Sequence, residues 1–247
     1  MKIQIFTCLT HNSINYAEFL KENLINSSSK QNNLIFCAMV DDKFNSEKCS
    51  WDIKEVVKTP YDLFKGYGAR NHSVMLNKII NHIDKDTDII VICDCDVAIL
   101  KKNWDLTLID LHKKYDSLIT PKFSGRSSVY FTSFTKKTYM DIVPNYTPGT
   151  KESDYKVTTI YEDTGYQLQD QLVNNKVFFY NLEGFDGKEY KIEGTNRDLH
   201  YLYKIGDVNF ITHFGGSHKK DFESKTVKNW IRQINIELEN EQSISHS

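Results

Sequence analysis

Hydrophobic positions in the first hundred residues switch between a strand-like and a helix-like period. Residues 2–9 place Ile3, Ile5, Phe6, Cys8 and Leu9 in a short β-rich run, and Thr10, His11 and Asn12 end it. Ser13 then stands where a helix N-cap is expected, ahead of Ala17, Leu20 and Leu24 at helical spacing over residues 14–25. A second apolar strand over 33–40 stops at Asp41-Asp42, and a short third strand covers 53–57. Residues 60–68 form an aromatic, glycine-containing loop. Val74, Leu76, Ile79, Ile80 and Ile83 predict a helix over 69–83, and the run IIVIC predicts a buried strand over 88–93. Strands separated by helices need crossover connections, which gives a mainly parallel sheet with helices on both faces.

The second half is less periodic. Strands are predicted over 116–123 and 127–134 around Gly125, a short helix over 136–142, and a turn-rich loop over 144–154. A helix or helical turn over 162–174 and a strand over 177–182 follow, then a strand over 209–213 running into Gly215-Gly216-Ser217. Val227, Trp230, Ile231, Ile234 and Leu238 mark a last helix over 224–239. Its apolar stripe is suited to packing on the domain or on a second copy in a homodimer.

Composition narrows the classes. The 247 residues carry 31 basic and 33 acidic side chains, a formal charge of -2, so no electrostatic footprint for nucleic acid is expected. No apolar run reaches the roughly 20 residues of a transmembrane helix, and the start MKIQIFTCLT turns polar too soon for a signal peptide. Five cysteines without a CxxC spacing fit a reducing, cytoplasmic setting.

In open α/β sheets ligands bind beyond the carboxyl ends of the strands. Three polar clusters fall there: Thr10-His11, Asp41-Asp42 and Asp94-Cys95-Asp96. Two carboxylates one residue apart at a buried strand end are costly unless a positive charge lies between them. Mg2+ or Mn2+ meets that need with oxygen ligands and also holds phosphate oxygens. The alternative is a pair of solvent-facing loop aspartates.

The order of these motifs resembles that of GT-A-fold glycosyltransferases, family 2-like with some family 8-like features, from the first strand to about Lys220. The resemblance implies a single, mostly parallel central sheet flanked by helices. It implies a catalytic domain over 1–222, with a nucleotide-binding half (1–100) and an acceptor-binding half (101–222). Residues 223–247 are left as a terminal helix and frayed tail. It further implies that Asp94, Asp96 and His213 hold Mn2+ or Mg2+, with His213 ending the strand before THFGGSHKK. Arg70, with Asn71, in GYGARNHSVMLNKII would face the donor phosphates, and Asp41 or Asp42 the base or ribose, flanked by Thr10 and His11. Cys95 is counted with the donor site, its side chain turned to the sheet interior by strand alternation. Gly216, Ser217 and Lys219 would approach the diphosphate; no Pro-Trp follows Lys219, a departure from family 8. In YEDTGYQLQD, Asp163, or else Glu162, would be the general base of an inverting reaction, while Asp170-Gln171 echoes retaining family 8 enzymes.

The expected activity is therefore metal-dependent transfer of a sugar from a nucleotide-diphosphate donor, taken as a UDP-sugar, to a hydroxyl of a carbohydrate acceptor. Inversion with Asp163 as base is the reading; a retaining enzyme of family 8 type or a nucleotidyltransferase is the alternative. The segment LTHNSINY after the first strand lacks the glycine-rich basic loop of many nucleotidyltransferases, and Thr10-His11 replaces the early aspartate of phosphohydrolases.

Overall fold

The alternating runs become β1 (Lys2–Leu9), α1 (Ile14–Ser27), β2 (Asn33–Asp41), β3 (Asp52–Val57), α2 (Gly68–Asn77) and β4 (Ile89–Cys93). The computed structural model describes residues 1–58, 68–121, 127–147, 164–165, 167–186, 201–215 and 221–244. Further along lie β5 (Val97–Ile99), α3 (Trp104–His112), β6 (Ser117–Pro121), β7 (Ser127–Thr135) and α4 (Lys136–Ile142). The described chain closes with α5 (Leu168–Asn174), β8 (Phe179–Asn181), β9 (Glu183–Asp186), β10 (Tyr201–Ile205), β11 (Val208–His213) and α6 (Lys225–Ile244).

Seven strands form the central sheet in the order β3-β2-β1-β4-β7-β6-β8. The four strands from β3 to β4 are parallel, β7 runs antiparallel to β4 and β6, and β8 returns parallel to β6. The fold is thus the expected α/β architecture. Beyond the single sheet of the sequence reading, β5-β11-β10-β9 form a second, four-stranded antiparallel sheet.

Side-chain alternation along the strands builds two cores. Ile3, Ile5 and Val91 lie in one with Leu20 of α1, Trp104 and Leu108 of α3, and Trp230 and Ile234 of α6. Phe6, Ile90 and Ile92 lie in the other with Met75 and Leu76 of α2, Tyr139 of α4, and Leu168 and Leu172 of α5. Burial of both faces explains why IIVIC reads as an unbroken apolar run. The three tryptophans each satisfy their indole N–H: Trp51 on the Ala17 carbonyl, Trp104 on that of Leu24, Trp230 on Thr212 Oγ1.

Three local departures have physical causes. The helix predicted over 69–83 stops at Asn77 and continues as a 3₁₀ turn over Ile79–His82. Asn77 is drawn into tertiary bonding, its Oδ1 accepting the Tyr146 N–H at 2.8 Å, and the β-branched pair Ile79-Ile80 is a poor helix former. The helix predicted from Glu162 begins only at Leu168, after a turn with Gly165 at φ +78°. A Cβ on Gly165 would lie 2.5 Å from Val129, so this turn requires glycine on both counts. Ser13 precedes α1 as expected, yet its hydroxyl bonds back to the Thr10 carbonyl and amide, both at 2.8 Å, and does not cap the helix. Among the described residues no helix is long and apolar enough to cross a membrane.

Candidate active site

Adjacent parallel strands bring the three polar clusters to one edge of the sheet. Val40 of β2 pairs with Leu9 of β1, and Phe6 of β1 with Ile92 of β4, so Asp41 ends β2 where Thr10 and Asp94 follow the neighbouring strand ends. Asp41 is buried and turns its Oδ1 to the Lys43 N–H at 3.0 Å, whereas His11 and Asp42 are exposed.

The acidic motif bridges the two sheets. The Asp94 N–H donates to the Tyr130 carbonyl of β7 at 3.0 Å, which carries the end of β4 onward along the central sheet. Two residues later the Phe214 N–H donates to the Asp96 carbonyl at 2.9 Å, and Val97 pairs with His213 across β5 and β11. That pairing delivers His213 from more than a hundred residues away. Its Nε2 lies 3.2 Å from Asp96 Oδ1 and 4.0 Å from Asp94 Oδ2. Asp96 and His213 are buried, and Asp94 is partly open to solvent. Between the carboxylates, Cys95 is buried in the apolar core, placed there by the turn that joins β4 to β5 and not by strand alternation.

These three side chains fit a hard divalent cation. One ligand atom from each lies within 4.8 Å of the others. An octahedral ion with bonds of about 2.1 Å spaces neighbouring donors about 3.0 Å and opposite donors about 4.2 Å apart, which brackets the 3.2 and 4.0 Å from His213 Nε2 to the two carboxylates. Two carboxylates with one imidazole suit Mn2+ or Mg2+ better than thiophilic metals. Among the described residues, His72 and His213 are ion-pair partners of these carboxylates.

Aromatic rings fix the His213 plane. Tyr130 stacks on it with centroids 3.8 Å apart at 27°, and Tyr201 of β10 at 5.7 Å and 29°. Gly215, at φ +69°, is required beside them, since a Cβ there would lie 2.9 Å from the Tyr201 ring. Tyr16 of α1 lies below the motif; burial, aided by Asp96 and Cys95, pushes its phenol up to about 12, so it stays neutral. Burial likewise pushes the Cys8 thiol well up, with the Asp94 charge adding to it. Cys8 is a thiol packed in the second core.

The structure adds a residue absent from the sequence reading. His72, on α2, places its Nε2 3.5 Å from Asp94 Oδ1. It stands beside the two residues singled out on this helix. Asn71 is buried, and Arg70 lies in the first turn of α2. Tyr130 and Tyr201 also escape sequence reasoning, which has no signal for two rings brought to a histidine by different sheets. Glu162, Asp163, Gly216, Ser217 and Lys219 lie outside the described residues.

No protein-family model matches the chain, and no curated protein matches it in sequence. Solved structures do match in fold. The galactosyltransferase LgtC, in complex with donor and acceptor sugar analogues, superposes with a TM-score of 0.54 at 10% identity, over 96% of this chain and 95% of LgtC. The glycosyltransferase GlyE of Streptococcus pneumoniae TIGR4 gives 0.52 at 12% identity over 98% of this chain, which spans 63% of GlyE. The bifunctional glycosyltransferase WbbM gives 0.51 at 12% identity, over 97% of this chain and 51% of WbbM. The chain has the fold of the nucleotide-diphospho-sugar transferases, the GT-A fold implied by its motif order.

Proposed function

We propose that the protein is a metal-dependent glycosyltransferase that moves a sugar from a nucleoside-diphosphate donor, a UDP-sugar, to a hydroxyl of a carbohydrate acceptor. The observation that carries the reading is the convergence of Asp94, Asp96 and His213 at the carboxyl edge of the parallel strands. Likeness of fold to LgtC and GlyE supports it.

In this reading Asp94, Asp96 and His213 hold Mn2+ or Mg2+. The bound cation supplies positive charge to the oxygens of the departing nucleoside diphosphate. Arg70 and Lys219 add cationic donors to the same oxygens, and Gly216 and Ser217 line their approach. Asp41 and Asp42, with Thr10 and His11, receive the nucleoside; Asp41 is already oriented by the turn it closes. Asp163 takes the acceptor proton in an inverting displacement, a role that rests on the YEDTGYQLQD segment alone.

The test is binding followed by product analysis. UDP with Mn2+ raises the melting temperature, GDP and TDP less so, and an acceptor screen with UDP-sugars releases UDP. Stabilisation by none of the three nucleotides sinks the reading, and release of pyrophosphate instead of UDP would make the protein a nucleotidyltransferase. Asp163→Asn keeps UDP binding and lowers turnover about 100-fold or more. Unchanged turnover with retained anomeric configuration transfers the chemistry to the retaining course.

A further inference from the structure

We infer that His72 is a positioning residue of this site: it donates to the outer oxygen of Asp94 and so holds the inner oxygen towards the cation. The inference rests on the metal reading and assigns a residue that the motif order does not. Asp94 is the more exposed of the two acidic ligands, its side chain 21% accessible against 6% for Asp96. Asp96 is buried beside His213, whereas packing restrains the more open Asp94 less, and His72 is a contact that limits its rotation. Its Nε2 lies 3.5 Å from Oδ1 of Asp94, while Oδ2 of the same carboxylate faces His213 at 4.0 Å. Each oxygen of Asp94 thus faces an imidazole.

The imidazoles play opposite parts. His213 belongs to the three-residue set whose ligand atoms lie within 4.8 Å of one another, and His72 stands outside that set. A ligating imidazole offers a lone pair, and an orienting imidazole offers an N–H. Outer partners of this kind fix a ligand's rotamer and typically change metal affinity 10–100-fold when removed. The helix also places His72 for this task. His72 sits one turn before Leu76 on α2, and Leu76 packs with Phe6 and Cys8 of β1 in the second core. That anchored face carries the imidazole to the strand ends, next to β4.

Calorimetric titration of the full chain with Mn2+ alone, without nucleotide, tests this. His72→Ala and His72→Phe are expected to bind Mn2+ about tenfold or more weakly, while His72→Gln, whose amide N–H reaches the same oxygen, stays within about threefold of the parent. Metal-free melting curves of the three variants should match the parent. Equal affinity in all three overturns the inference, as does equal loss in all three, which would make bulk or ligation the cause. Asp96→Ala serves as control. A parent chain that takes up no Mn2+ sinks the metal reading itself, an outcome distinct from a parent that binds while His72→Ala binds equally well.

Discussion

The two carboxylates and the imidazole carry the site because each removes a cost that the others create. Asp96 is buried, and its carboxylate is tolerated there only beside a positive partner. A cation held in the cluster stabilises the folded state by mass action, about 2.7 kcal/mol at a hundredfold excess over its dissociation constant. For a chain of this size that is a rise of roughly 5–10 °C in melting temperature. The parent should show this rise in Mn2+, and Asp96→Asn and His213→Ala should each lose it in a thermal-shift assay. Gly215→Ala tests the ring packing around His213. A side chain in the left-handed region costs about 1–2 kcal/mol, and its Cβ would press on Tyr201 at 2.9 Å. Melting should fall, and the Mn2+-induced rise should shrink with it. At this scale the acidic strand end and His213 could be read from the sequence, because strand ends and glycine-rich turns leave local signatures. His72, Tyr130 and Tyr201 could not, because their significance lies in which strands and helices become neighbours.

Elements positioned by period were legible, and elements positioned by pairing were not. β1, β2, β3 and β4 announce themselves through apolar runs ended by polar residues. β5 has three residues, too few for an alternation, and exists because β11 pairs with it. α3 opens on Asn103, a residue type that marks helix starts, but in the left-handed region and without a side-chain cap, and its nine residues are too few for a clear apolar period. What anchors α3 is Asp105, fully buried, which accepts from the Ser29 amide, the Ser29 hydroxyl and Asn32 Nδ2 at 2.7, 2.6 and 2.8 Å. Burial raises the pKa of this carboxyl, but the three bonds outweigh it and the net shift is downward. A carboxyl lowered in the folded state stabilises above the unfolded pKa of about 3.9, and the contribution fades as pH falls through the folded value. Asp105→Asn should therefore cost about 1–3 kcal/mol at pH 7, and the gap to the parent should narrow at pH 3 in urea titrations.

The whole molecule places its candidate metal site between two sheets, and α6 joins them. Val227, Trp230, Ile234 and Leu238 of this helix belong to the same core as Ile211 and Phe214 around β11. Its far end is tied back by Glu241, which pairs with Lys101 just before α3, and by Glu237, which accepts from Asn209 Nδ2 at 3.0 Å. Trp230 makes the link nearest the site. Its N–H bonds Thr212 Oγ1 at 3.2 Å, and its ring lies 5.3 Å from Phe214, so one side chain grips both neighbours of His213. Truncating a buried tryptophan costs about 3–5 kcal/mol, against a total stability of about 5–15 kcal/mol for a typical fold. Trp230→Ala should lower melting by roughly 6–20 °C. Because β11 would lose its backing, Mn2+ affinity measured below the new melting range should fall as well. Ile236→Ala, on the outer side of the same helix, should change neither. Equal Mn2+ affinity in a destabilised Trp230→Ala protein would show that β11 is held to β5 by its own pairing, with α6 contributing stability alone.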